Sequence, residues 1–90
     1  MLATKISFWN EIFLISQTLG VDSQQIANIV ALDSRIGKYG TVHGKAFGGK
    51  CLPKDLEAFV SFAQKYYSPA LLTAAKRVND YMAENCGVRE

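Results

Sequence analysis

Residues 2–20 read LATKISFWNEIFLISQTLG, and this stretch decides the fold. Apolar side chains recur at the three- and four-residue spacing of an α-helix through Leu2, Ile6, Trp9 and Phe13. Further apolar residues widen this stripe well beyond one narrow face: Ile12, Leu14, Ile15 and Leu19. Helices with so broad an apolar surface are usually buried on two sides, so we expect a central helix that ends at Gly20.

A second helix and a long loop follow. Asp22, with Gln25 three residues later, fits a capping box for a helix that runs to about Leu32 and has an inner face of Ile26, Ile29 and Val30. Residues 33–52 lose the helical period and contain five of the seven glycines: Gly37, Gly40, Gly44, Gly48 and Gly49. Loops of this length in a small domain are usually functional or disordered, so this loop is where candidate functional residues are sought.

Two more helices complete the prediction. Pro53 suits the first position of a third helix, which continues over residues 54 to about 66. Ser68 and Pro69 repeat that signal for a fourth helix, which ends at Gly87. The side chains expected to face inward are Leu56, Phe59, Val60 and Ala63 on the third helix and Leu71, Leu72, Ala75, Val78 and Met82 on the fourth. The predicted fold class is therefore all-α: about four helices, a long glycine-rich loop between helices 2 and 3, and no strand pattern.

The composition limits the function classes. A chain of 90 residues makes at most one domain, of a size at which a single core is barely sufficient without a partner. Hydrophobic residues make up 49% and the formal charge is +2, so the chain is neither disordered by composition nor basic enough to indicate a nucleic-acid partner. No apolar run predicts a membrane span, and no signal peptide is evident. The two cysteines, Cys51 and Cys86, lie outside any CxxC pair, which favours free thiols and a cytoplasmic location.

The loop leads into GKAFGGKCLPKD, residues 44–55, which does not look like helix packing. Cys51 lies just before a predicted helix start and between two lysines, surroundings that favour the thiolate, which is the nucleophilic form of cysteine. A buried structural cysteine is the alternative. Gly48 and Gly49 would allow the backbone to approach a ligand closely, and a simple tight turn would use them equally well.

Other residues near the loop each have two interpretations. Asp55, one turn from Cys51, would either assist proton transfer or simply complement the dipole of the third helix. Arg35, in DSRIGK, would either bind a phosphate or carboxylate or remain solvated. His43 is the sole histidine and has no ligand cluster at metal-binding spacing, so we predict no metal site. Cys86 is interpreted as structural or incidental.

In these motifs the chain resembles the central dimerisation domain of the UDP-glucose/GDP-mannose dehydrogenase family, the nucleotide-sugar 6-dehydrogenases. LATKISFWNEI, LDSRIG and AFGGKCLPKD follow one another in the family's order and at roughly its spacing, and the resemblance covers nearly the whole chain. It implies a domain that forms a homodimer through helix 1. It also implies that residues 1–90 are a piece excised from a longer oxidoreductase and are inactive alone.

The resemblance also implies a reaction and a set of site residues. The family oxidises the 6-hydroxyl of a nucleotide sugar to a carboxylate in two steps, with NAD as the oxidant. Cys51 matches the nucleophile, which captures the aldehyde as a thiohemiacetal and passes through a thioester, and Asp55 matches an aspartate that assists proton transfer and the hydrolytic water. Arg35 matches an arginine that reaches the substrate in the partner's site, and Phe47 and Gly48 match loop positions that lie against the substrate.

Parts of the family's enzyme are expected outside this chain. The resemblance places an NAD-binding domain before it, with a catalytic lysine and asparagine just ahead of Leu2, and a nucleotide-binding domain after it. The Arg-Ile-Gly sequence favours UDP-glucose as the substrate, then another UDP-sugar, then GDP-mannose, while Lys50 replaces a more usual serine. The competing classes are a non-enzymatic helical binding or oligomerisation module and a small redox protein that uses Cys51 and Cys86.

Overall fold

The computed structural model describes residues 1–41, 43–48 and 52–89. Its helices are α1 (Leu2–Leu19), α2 (Ser23–Val30), α3 (Leu52–Ala63) and α4 (Ala70–Asn85), and its strands are β1 (Ala46–Phe47) and β2 (Val88–Arg89). Strands of two residues add almost nothing to this architecture, so the predicted all-α class of four helices is confirmed. In the described part of the chain, no helix is long and apolar enough to cross a membrane.

The first helix is central, as its broad apolar stripe predicts. α1 packs chiefly against α4 and also contacts α2, α3 and β1. Trp9 of α1 and Met82 of α4 are buried in the core between the helices. The hydroxyl of Ser7 donates a buried hydrogen bond to the backbone carbonyl of Ala75 at 3.0 Å, which joins α1 directly to α4. Neighbours on different sides of α1 thus account for much of the width of its apolar surface.

The ends of α1 and α2 follow the predicted signals in part. α1 ends at Gly20, whose φ of 73° is the left-handed conformation that favours glycine at this position. Asp22 caps α2, because its carboxylate accepts a hydrogen bond from the backbone N–H of Gln24 at 3.0 Å. The hydrogen bonds of these described residues do not include the return bond from the Gln25 side chain that a capping box would add. α2 ends at Val30, two residues earlier than expected, where tighter turns replace the helix.

The predicted inner face of α2 is wrong. Ile29 is 63% exposed, and Ile26 and Val30 are also exposed, whereas α2 buries Ser23 and Ala27. The two buried residues are small and lie four positions apart, so they form one face on which α2 can approach α1 closely. The three large side chains lie outside this buried face, and Ile29 is the most exposed of them.

The inner faces of α3 and α4 are confirmed only in part. Val60, Ala75 and Met82 are buried, but Phe59 and Leu71 are 56% and 68% exposed. α3 also ends three residues earlier than expected. Among the buried residues, α3 contributes Val60 alone, so its contact with α4 and α1 is narrow and the side chains on its flanks stay in solvent.

The loop between α2 and α3 contains β1. β1 pairs in parallel with β2, with Ala46 opposite Val88 and Phe47 opposite Arg89. The backbone N–H of Ala46 also donates to the carbonyl of Gly87 at 2.9 Å. A two-residue strand is too short to show the alternation by which strands are predicted, so no sequence pattern indicated it. The pairing joins the loop to the residues that follow α4. The point of attachment on the loop lies just before Cys51 in the sequence.

Candidate functional site

Residues 44–48, which we call the loop segment, contain two of the predicted substrate-binding residues. Phe47 is 6% exposed and Gly48 is half-buried. Phe47 lines a small cleft of about 60 Å³ together with Pro53 and Leu56 of α3 and residues of α4. The loop segment therefore lies beside the first turns of α3, the helix that follows Cys51 in the sequence.

Two buried asparagines hold the loop segment. The side chain of Asn10 donates from Nδ2 to the carbonyl of Lys45 at 3.0 Å, and its Oδ1 accepts from the N–H of Gly44 at 2.9 Å. On the α4 side, the N–H of Phe47 donates to Oδ1 of Asn79 at 2.7 Å, and Nδ2 of Asn79 donates to the carbonyl of Phe47 at 3.3 Å. Each asparagine thus binds one donor and one acceptor of the loop backbone.

Neither asparagine was predicted from the sequence, although the position of each carries a signal. Asn79 lies four residues after Ala75 and three before Met82, which places it on the buried stripe of α4. Asn10 lies three residues after the buried Ser7 on α1. Because buried amides are almost always hydrogen-bonded, the pattern indicates that each needs a polar partner inside the fold. The identity of that partner depends on the loop conformation, which no periodicity encodes.

Of the two predicted catalytic residues, Cys51 and Asp55, the structure describes Asp55. Asp55 lies in the first turn of α3 and is exposed to solvent. Its carboxylate is therefore accessible to water or to a bound substrate. The helix that carries it, α3, begins at the residue directly after Cys51. Cys51 itself, with Gly49 and Lys50, lies outside the described residues, and its role as the nucleophile stays a prediction.

Arg35 lies on the surface and forms an ion pair with Asp33. The carboxylate of Asp33 accepts hydrogen bonds from the backbone N–H of Arg35 at 2.9 Å, from Nε at 3.0 Å and from Nη2 at 2.7 Å. The side-chain bonds, followed by the backbone bond, lower the pKa of Asp33 below its ordinary value, and the same pairing raises the pKa of Arg35. The Arg35 side chain remains 87% exposed, so it is oriented by Asp33 and still open to a ligand.

Arg35 also lines a large apolar groove of about 630 Å³. We call this the α1–α2 groove, and the residues of those helices that line it include Phe8, Trp9, Ile12, Ile26 and Val30. Phe47, Gly48 and Asp55 are not among its lining residues. Phe47 thus lines one cleft with the start of α3, whereas Arg35 lines a separate groove.

His43 uses both of its ring nitrogens within the fold. Nε2 lies 2.8 Å from the hydroxyl oxygen of Ser23, and Nδ1 lies 2.7 Å from the carbonyl oxygen of Thr41. The ring also stacks on Trp9, with 6.0 Å between the ring centroids. Among the described residues, no group of three or more His, Cys, Asp or Glu could hold a metal ion. The imidazole therefore acts as a structural link between the loop, α1 and the start of α2.

Comparison with known proteins extends the match beyond these motifs. The sequence model of the UDP-glucose/GDP-mannose dehydrogenase family, central domain, matches residues 1–81. UDP-glucose 6-dehydrogenase AglM of Haloferax volcanii is 43% identical over 84 residues, which cover 92% of this chain and 20% of that relative. GDP-mannose 6-dehydrogenase of Pseudomonas savastanoi pv. phaseolicola is 36% identical over 85 residues, which cover 92% of this chain and 18% of that relative.

A solved structure shows the same arrangement of elements. The UDP-glucose dehydrogenase from the hyperthermophilic archaeon Pyrobaculum islandicum has a TM-score of 0.86 and 44% identity to this chain, covering 92% of it and 19% of that dehydrogenase. The chain thus spans about a fifth of the length of these relatives. The resemblance seen in the motifs is confirmed from α1 into α4. This chain belongs to the UDP-glucose/GDP-mannose dehydrogenase family, and the part of the family that it matches is the central domain.

Proposed function

We propose that this chain is the central, dimerising domain of a longer NAD-dependent nucleotide-sugar 6-dehydrogenase, in which it supplies the nucleophile and part of the substrate site. The observation that carries the proposal is the family match over residues 1–81, which includes the whole AFGGKCLPKD motif. The cleft that Phe47 of the loop segment lines together with Pro53 and Leu56 of α3 supports it. Residues on both sides of Cys51 in the sequence therefore line the same cleft.

Cys51 would act on the aldehyde intermediate. Its thiolate forms a C–S bond to the aldehyde carbon and the carbonyl oxygen takes a proton, which gives a thiohemiacetal. Loss of a hydride and a proton then gives a thioester, and water cleaves the C–S bond to release the carboxylate and the thiol. Asp55, exposed in the first turn of α3, would assist these proton transfers, giving a proton to the carbonyl oxygen in the first step and taking protons up in the later ones, and would orient the water. The covalent bond holds the aldehyde until the second oxidation.

NAD binds outside this chain in our proposal. The chain contains no G-x-G-x-x-G sequence, and the residues that the structure describes form no βαβ unit on which a dinucleotide could lie. When bound to its own domain, NAD would accept the hydrides of the two oxidations. A dinucleotide oxidant and a free thiol nucleophile both suit the cytoplasm, where we place the enzyme.

UDP-glucose is the substrate that we propose first, followed by another UDP-sugar and then GDP-mannose. The Arg-Ile-Gly sequence after Ser34 favours this order. The relatives compared above are named for UDP-glucose at 43% identity and for GDP-mannose at 36% identity, in the same order. The order is tested by measuring NADH production from the two nucleotide sugars with a longer polypeptide that joins this chain to the family's other domains.

The same proposal assigns the α1–α2 groove to a second copy of the chain. The groove is lined by large apolar side chains, of which Phe8, Ile26 and Val30 are exposed. A two-fold axis at this surface would pack α1 against α1 of the partner and cover a core that is small for a chain of this size. Arg35, which lines the groove, would then lie at the contact with the partner and could reach the partner's substrate.

The decisive variant is Cys51→Ser in that longer polypeptide. We expect NADH production to fall by about a thousandfold or more, because a serine hydroxyl is a far weaker nucleophile than a thiolate. Cys86→Ser is the matched control and is expected to retain wild-type turnover, since it removes the chain's other thiol. Unchanged turnover in Cys51→Ser would refute the covalent role.

The alternative is a non-enzymatic helical binding or oligomerisation module, which the exposed α1–α2 groove also suits. It predicts self-association through α1 without NADH production from any nucleotide sugar. It also predicts that Cys51→Ser changes no measured property. Turnover that depends on Cys51 excludes this alternative.

A further inference from the structure

We propose that Asn10 and Asn79 are positioning residues, whose side-chain amides hold the backbone of residues 44–47 and thereby place Gly48, the half-buried residue after Phe47, against the substrate. The assignment to substrate rests on the proposed function, whereas the hydrogen bonds themselves do not. Both side-chain amides are paired with the backbone of the loop segment, so we assign them no catalytic role. Both act through the loop segment.

The backbone of the loop segment is paired at five of its polar groups. The N–H groups of Gly44, Ala46 and Phe47 and the carbonyl groups of Lys45 and Phe47 all have partners inside the fold. One of these five groups, the N–H of Ala46, is paired with the backbone carbonyl of Gly87. The other four are paired with the side-chain amides of the two asparagines, two groups with each. In a regular sheet, a second neighbouring strand would supply such bonds. Here two helices supply them through side chains.

Burial makes these bonds necessary. Asn10 is 0% exposed and Asn79 is 7% exposed, while Ala46 and Phe47 are equally buried. A buried backbone group that loses its partner keeps the full cost of leaving water. Among the described residues, no buried side-chain nitrogen or oxygen lacks a partner. The loop segment can therefore leave this conformation only by breaking the two buried bonds to Asn79 and the two part-buried bonds to Asn10.

The placement of the two amides gives the segment a defined direction. Asn10 binds its first two residues from α1, and Asn79 binds Phe47, the last residue before Gly48, from α4. An apolar residue at either position could fill the same space but could not bind a donor and an acceptor at once. Ser7 provides the contrast, because its buried bond to Ala75 joins α1 to α4 without touching the loop segment.

Hydrogen exchange of individual amides in this chain tests the proposal first. We expect Asn79→Ala to speed exchange at the Phe47 amide by about tenfold, and Asn10→Ala to do the same at the Gly44 amide, relative to amides within α1 and α4. Asn79→Asp keeps an acceptor for the Phe47 N–H and is expected to restore much of the protection. Ser7→Ala is the control. In this variant the exchange rates of the loop-segment amides should change no more than those of amides in the rest of the chain. Uniform acceleration in all variants, or none, would overturn the proposal.

Kinetics in the longer polypeptide test the link to substrate. We expect Asn79→Ala and Asn79→Asp to raise KM for the nucleotide sugar by about tenfold and fivefold, with a smaller effect on kcat, and Ser7→Ala to change neither. If Asn79→Ala speeds exchange selectively at the loop segment but leaves KM unchanged, the positioning of the substrate by this segment is overturned. If the wild-type polypeptide makes no NADH, the proposed function fails and the substrate assignment fails with it, while the exchange data still decide whether the amides hold the segment.

Discussion

Asp33 fixes the direction of the Arg35 side chain. The carboxylate accepts hydrogen bonds from three nitrogens of Arg35, one in the backbone and two in the guanidinium. Because both side chains are exposed, water and salt screen the pair and its effect on stability is small. The effect that remains is geometric: the guanidinium is held beside the α1–α2 groove, where the proposed partner would meet it.

The pairing with Arg35 lowers the pKa of Asp33, and this gives a testable prediction. Its value in the folded protein lies below that in the unfolded chain, so the pair is intact at neutral pH and its small stabilising effect is lost as the pH falls through the folded pKa. Arg35→Ala should raise the pKa of Asp33 towards its ordinary value, as followed by the NMR shift of the carboxyl carbon. Arg77→Ala, which removes another exposed arginine, should leave that pKa unchanged. An Asp33 pKa that ignores Arg35→Ala would contradict the observed pairing.

The stability of α2 depends on its first turn. The helix has only eight residues, and Asp22 satisfies one of the N–H groups that a helix start leaves unpaired. Asp22→Ala should lower the free energy of unfolding by about 1 kcal/mol, and Asp22→Asn should cost much less because an amide oxygen can also cap. Urea denaturation measures both changes.

Gln25→Ala is the matched control for the cap. A full capping box would make this substitution costly, whereas the structure shows the Asp22 bond without the return bond from Gln25. We therefore expect Gln25→Ala to change stability by less than about 0.5 kcal/mol. A loss equal to that of Asp22→Ala would restore the predicted capping box.

Sequence patterns predicted the helices better than their faces. The period of α1 and the glycine after it identify that helix because both signals are local. The face of α2 depends on how closely the helix can approach α1, which is decided by Ser23 and Ala27 and not by its three large apolar residues. Packing between elements is a property of two surfaces, so the periodicity of one of them is insufficient.

The candidate site likewise has a part that the sequence predicts and a part that it does not predict. Phe47 and Gly48 are recognisable from a motif, because the family resemblance is carried by contiguous residues. Asn79 is 32 positions from Phe47, which it binds, and Asn10 is 34 and 35 positions from Gly44 and Lys45, so no local pattern joins these residues. Asn10 and Asn79 are visible beforehand only as polar residues on buried stripes. Their partners depend on the tertiary fold.

Several large apolar side chains of the molecule are exposed to solvent. On α1 and α2 they include Phe8, Ile15, Leu19, Ile26, Ile29 and Val30. Exposed apolar side chains that cluster in one patch are typical of a surface that contacts another molecule. The α1–α2 groove concentrates three of these side chains beside Trp9, and the proposed homodimer would cover them.

The last prediction compares two phenylalanines that are almost equally exposed, Phe8 at 55% and Phe62 at 56%. Phe8 lines the α1–α2 groove and Phe62 lies on α3, outside the groove. Phe8→Asp would place a carboxylate in each half of the proposed interface and remove apolar burial twice, so it should raise the dimer dissociation constant by about a hundredfold or more. Phe62→Asp should leave that constant unchanged. Light scattering over a concentration series measures both variants against wild type, and circular dichroism checks that each remains helical. A wild-type chain that stays monomeric at high concentration, or a Phe62→Asp that dissociates as readily as Phe8→Asp, would show that the groove is not the dimer interface.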